Sequence, residues 1–130
     1  MKRLLVAFLC ALVAAIPAGV VATAAAAPAS AHLLVYAQEW SLWPSRSSVP
    51  AGKVIVQLWN RGQDAHDLRI RKVGAHGHMT GPVIDGIKIT LPGQVSQATW
   101  DLKAGRYELY CSMPGHLKMG MHARLTVTRT

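Results

Sequence analysis

Downstream of Ser30 no stretch of the chain carries a helical period of useful length, and turn residues cut it into short alternating runs. Alternation with a period of two marks strands with one buried and one wet face. Lys53 to Asn60 sets Val54, Val56 and Leu58 on one side and Ile55, Gln57 and Trp59 on the other. His66 to Val73 opposes Leu68 and Ile70 to Arg69 and Arg71. Leu33 to Glu39, Gly86 to Leu91, Val95 to Leu102, Arg106 to Cys111 and Met121 to Thr128 read as further strands, bounded by Pro50-Ala51-Gly52, Arg61 to Asp64, Pro92-Gly93 and Lys103-Ala104-Gly105. Trp40 to Val49, interrupted by Pro44 and serines, reads as an irregular edge, and Gly74 to Gly86 as a long loop. About seven strands at this spacing predict an all-β, Greek-key antiparallel β-sandwich.

The first residues follow a different logic. Met1-Lys2-Arg3 is basic, Leu4 to Ala31 has no charge, and the segment ends in Ala29-Ser30-Ala31. A basic start, an apolar run and a small-x-small site make a secretory signal peptide over residues 1–31, leaving 32–130 as one mature domain. An uncleaved anchor is the alternative, because a bilayer is spanned by roughly 20 apolar residues. The alanine- and proline-rich second half makes a poor spanning helix, which favours cleavage. The expected location is therefore outside the cytoplasm: periplasmic, extracellular or on the cell surface. Without Lys2 and Arg3 the formal net charge falls from +8 to +6. Such a balance suits solubility, an acidic protein partner or a membrane surface with anionic headgroups. Export speaks against nucleic acid.

Cysteine usage sharpens the functional reading. Cys10 lies in the leader, so Cys111 is alone in the mature chain and no internal disulfide can form. A lone thiol in an oxidising compartment is a liability unless it is buried or used. Its surroundings point to use, since Cys111, His116 and Met121 form Cys-x4-His-x4-Met. Thiolate, imidazole and thioether are soft or borderline donors suited to copper, and a trigonal His₂Cys set with a weak axial Met makes a blue-copper site. His66, which opens a strand directly after a turn, is the natural second imidazole. A sandwich gathers its loops at its two ends, so His66, Cys111, His116 and Met121 can meet at one pole. Taken singly, each has a plainer reading as small hydrophobe, surface histidine or gap-filling methionine. Zinc fits less well, because its structural sites are built from Cys and His.

These residues carry a family resemblance. Pro50-Ala51-Gly52-Lys53, Asn60, Gly62, His66-Asp67-Leu68, Pro92-Gly93, Ala104 to Cys111, Pro114-Gly115-His116 and Gly120-Met121 resemble the plastocyanin/azurin family of cupredoxins over Leu33 to Thr128. The Cys-to-His spacing is that of azurin and the His-to-Met spacing that of plastocyanin, a combination found in auracyanin- and rusticyanin-like members. The resemblance implies a type 1 (blue) copper protein with one copper ion. His66, Cys111 and His116 would be its strong ligands and Met121 its axial one. It also implies one-electron transfer, with His116 as electron port within an apolar patch of Met113, Pro114, Leu117 and Met119. A cytochrome or a membrane oxidase or reductase would be the partner, steered by Lys118, Arg69 and Arg71. A non-redox copper carrier or store is the rival. An enzyme is not expected, since a two-copper electron-entry centre needs two cysteines.

Two departures stand out. Residue 67 is Asp where many relatives have Asn, and Met119 offers a second thioether close to Met121. His76, His78 and Met79 read as part of an exposed loop, with a second metal site as the alternative, and His122 reads as surface.

Overall fold

The structure is a computed structural model that describes residues 29–74 and 81–129. Residues 1–28 of the expected leader and the His76, His78 and Met79 cluster lie outside the described residues. Nine strands are described: β1 Ala31–Gln38, β2 Ser41–Pro44, β3 Ser48–Pro50, β4 Gly52–Asn60, β5 His66–Lys72, β6 Val83–Thr90, β7 Val95–Leu102, β8 Gly105–Tyr110 and β9 His122–Thr128. They form a four-stranded sheet in the order β2-β1-β4-β7 and a five-stranded sheet in the order β3-β9-β8-β5-β6. The all-β sandwich is as expected. Its pairing is mixed rather than wholly antiparallel, since β1 runs parallel to β4 and β3 parallel to β9.

The segment read as an irregular edge explains both parallel pairs. It splits into β2 and β3, which edge opposite sheets. β2 returns antiparallel along β1, with Tyr36 opposite Trp43. Pro44 has no N–H to give a ladder, which is tolerable on an edge strand, and Ser45 takes over by donating from N to the Leu34 carbonyl at 2.7 Å. The chain then crosses to β3 beside β9 and returns as β4 beside β1.

The inward faces are those the alternation predicts. Leu33, Val35, Val54, Val56, Leu58 and Trp100 from one sheet meet Leu68, Ile70, Leu109, Leu125 and Val127 from the other, all buried. At the end of the sandwich holding the β7–β8 turn, the Tyr107 hydroxyl donates to the Lys103 carbonyl at 2.6 Å. Burial raises the Tyr107 phenol above its ordinary 10.0. Folding thus favours the neutral ring, so its contribution is full below that value and fades as pH climbs through the raised folded one. Tyr107→Phe is expected to lose about 1 kcal/mol in urea unfolding at neutral pH. The gap to the parent protein should close on the alkaline side of 10.0.

Candidate metal centre

His66 is presented by a turn that the sequence builds from its own polar atoms. Asn60, fully buried at the end of β4, donates from Nδ2 to the Asp64 and Thr90 carbonyls and accepts from Gly62 N at 2.9 Å. These bonds pin 60–64 against β6 and deliver His66 as the first residue of β5. Where β5 begins, the ladder slips: His66 faces Thr90 but Leu68 faces Ile87, so two residues of β6 oppose Asp67. Such irregularities re-aim side chains beside functional sites. His66 shares the inward face of Leu68, and Asp67 lies on the other side with Arg69.

The second half of the site is one loop. Cys111 follows β8 directly and Met121 precedes β9 directly. Cys111 N donates to the Met121 carbonyl at 3.1 Å, so the loop is closed at its base. Inside it His116 N donates to the Met113 carbonyl, and Met121 N donates to the His116 carbonyl, each at 3.1 Å. Gly115 and Gly120 turn the chain at φ of 84° and 103°, values that disfavour side chains.

Three side chains converge. His66 Nδ1 lies 3.2 Å from His116 Nδ1, Cys111 Sγ lies 3.5 Å from His116 Nδ1, and Cys111 Sγ lies 4.0 Å from His66 Nδ1. The geometry suits a metal ion. Bonds like those zinc makes to these donors, about 2.0 Å to nitrogen and about 2.3 Å to sulfur, would put trigonal donor atoms roughly 3.5–3.7 Å apart. His66, Cys111 and Met121 are fully buried and His116 is 8% exposed. Met119 is 48% exposed, so of the two nearby thioethers Met121 is the one in the interior.

The surroundings hold this pole together. Asp67 Oδ1 accepts from Ser112 N at 2.6 Å, Oδ2 accepts from the Ser112 hydroxyl, and Arg69 Nε donates to Oδ2 at 2.9 Å. The tie to Ser112 joins the start of β5 to the start of the loop that follows β8. Burial alone would raise the Asp67 carboxyl, but the bonds from Ser112 and Arg69 outweigh it and hold it below the usual range. Burial pushes the Cys111 thiol up, so binding through sulfur must displace a proton. His122 is surface-exposed as expected, and its Nδ1 lies 3.3 Å from the buried Glu108 carboxylate, which also binds Arg71.

Two contributors went unseen in the sequence. Glu39 and Trp40 form the two-residue loop between β1 and β2. Glu39 Oε1 accepts from Gln63 N and Asp64 N, both at 2.8 Å, and from His66 Nε2 at 3.0 Å. Burial opposes ionisation of Glu39, but the backbone N–H bonds and the His66 ring hold its pKa at about 2. The Trp40 ring stands edge-on to His116, with centroids 4.8 Å apart. No local pattern links either residue to the ligand loops. The readable signal was a charged and an aromatic residue at the end of a strand.

A β-sandwich whose pole presents one buried thiol and two buried imidazoles fits a small mononuclear metal protein. The sequence matches the family described as copper binding proteins, plastocyanin/azurin family, over residues 32–128, and the chain belongs to it. It is a cupredoxin, and its site fits a single type 1 copper ion. Among solved structures, dithionite-reduced auracyanin from the photosynthetic bacterium Roseiflexus castenholzii is 21% identical, with 77% of this chain and 98% of that one covered at a TM-score of 0.63. Auracyanin A, a blue copper protein from the green thermophilic photosynthetic bacterium Chloroflexus aurantiacus, is 16% identical, with coverage of 77% and 100% at 0.61. Reduced rusticyanin is 21% identical, with coverage of 75% and 78% at 0.55. No curated protein matches the sequence.

Proposed function

We propose that this protein carries single electrons between redox partners outside the cytoplasm. His66, Cys111 and His116 would be its strong copper ligands and Met121 the axial one. The observation behind this reading is the buried triangle of His66 Nδ1, Cys111 Sγ and His116 Nδ1. Copper supplies the one-electron couple. The chain supplies a site fixed in advance: His66 opens a strand of the sandwich, Cys111 and His116 sit in a loop closed at its base, and Asp67 ties the two together. Donors held this way have little to rearrange when the charge changes. Water is excluded, since only His116 of the four reaches the surface.

The same burial favours retention over delivery, which sets the electron carrier above a copper carrier or store. Around His116 the surface is apolar, with Trp40 and Met119 exposed at 37% and 48%. Such a patch suits a transient partner that approaches the ring directly. The exposed Lys118 on the same loop would favour an acidic surface. Within the described residues no helix is long and apolar enough to cross a membrane. Location outside the cytoplasm rests on the leader read from the sequence.

The test is repeated reduction and oxidation of the copper-loaded protein in the presence of a Cu(I) chelator. Retention of the metal through many cycles supports electron transfer, and loss to the chelator supports delivery. Axial tuning adds a finer check. Met121→Leu removes a donor, favours the lower coordination of Cu(I), and should raise the reduction potential. Met119→Leu should leave potential and spectrum unchanged.

A further inference from the structure

Among the described residues, Glu39 is the carboxylate in hydrogen-bond reach of an imidazole of the donor triangle. Its Oε1 gathers three donors: the amides of Gln63 and Asp64, and His66 Nε2. The first two would serve the turn alone. The third joins that turn to the imidazole. With Nε2 carrying the proton and giving it to Glu39, Nδ1 keeps its lone pair, and Nδ1 is the atom that faces Cys111 Sγ and His116 Nδ1. The hydrogen bond made by one ring nitrogen sets which nitrogen is free for a metal. An anionic acceptor also makes the imidazole a stronger donor, which stabilises the more highly charged Cu(II).

We propose that Glu39 is a positioning residue of the copper site, fixing the His66 tautomer and holding the reduction potential down. This rests on His66 being a ligand, as in the proposed function. Gly62 supplies an independent handle. A Cβ there would collide with the Glu39 carboxylate, lying 2.7 Å from its Cδ, and the colliding atoms are the movable end of a side chain. Gly62→Ala should therefore fold while pushing the carboxylate off the ring, with the charge still in the chain. Glu39→Gln does the reverse, keeping an acceptor in place and removing the charge.

The experiment compares the full chain with Glu39→Gln and Gly62→Ala. It measures Cu(II) and Cu(I) affinities by competition, the reduction potential, the EPR spectrum of the Cu(II) form, and thermal unfolding without metal. Loss of an outer partner of a ligand costs about 10- to 100-fold in metal affinity. Falling mainly on Cu(II), each tenfold loss raises the potential by about 59 mV. Both variants should show this with the thiolate-to-copper absorption still present. If a folded variant melts lower yet keeps the parent potential and EPR spectrum, Glu39 only closes the turn and the inference is overturned. If Glu39→Gln does not fold, Gly62→Ala decides by the same readouts. A parent protein that takes up copper without a thiolate band would overturn the ligand assignment and this inference with it. An intact band with unmoved potentials removes this inference alone.

Discussion

Cys111→Ser should abolish the intense visible absorption of the copper-loaded protein. That band requires a sulfur anion bonded to Cu(II), and a hydroxyl is a harder, weaker donor. Cys111 is fully buried, and its Sγ is one corner of the donor triangle at 3.5 and 4.0 Å from the two nitrogens. Serine fits the space, so the copper-free domain should still fold. Cu(I) affinity should fall by more than the roughly 100-fold that loss of an outer partner can cost. Absorption and EPR spectra beside a Cu(I) competition assay measure both effects. A variant that keeps the band would show that another group supplies it and would remove Cys111 from the site.

Asp67→Ala should be the most damaging change outside the ligands. Asp67 is 2% exposed and accepts from Ser112 N, the Ser112 hydroxyl and Arg69 Nε. Ser112 follows Cys111 directly, so this carboxylate clamps the start of the ligand loop to the start of β5. Removing it strands the Ser112 amide and breaks a charge-assisted pair, at a cost of about 2–4 kcal/mol. Urea unfolding of the copper-free protein would measure the loss, and faster copper transfer to a chelator would report the loosened loop. Asp67→Asn keeps an oxygen for the Ser112 amide and gives up mainly the exposed side of the Arg69 pair. Its cost should be about 1 kcal/mol. Equal losses for the two variants would mean that the Ser112 bonds contribute little.

How much of this could be read from the residues depended on distance along the chain. Alternation is local, so the inward faces of β4 and β5 were legible from Val54, Val56, Leu58, Leu68 and Ile70. The loop from Cys111 to Met121 was legible because its candidate donors are closely spaced and chemically matched. His66 was legible through its place after a turn. The parallel pairs were not, because they depend on the segment after Trp40 switching sheets, and nothing in Ser45 to Ser47 announces a crossing. Glu39 and Trp40 were missed for a related reason. Their partners, His66 and His116, lie far along the chain, and only the closed fold brings them near.

The five-stranded sheet has β9 at an inner position, between β3 and β8. A polypeptide emerging from a ribosome or a translocation channel exposes β3 early, yet Ser48 to Pro50 must wait for Thr126 to Thr128 before finding its ladder. Until then β8, which leads into the thiol, lacks a neighbour on one side. Vectorial synthesis therefore cannot yield a finished binding pole before nearly the whole domain is out. Premature truncation within β9 would leave a product with two raw sheet edges rather than a smaller working protein.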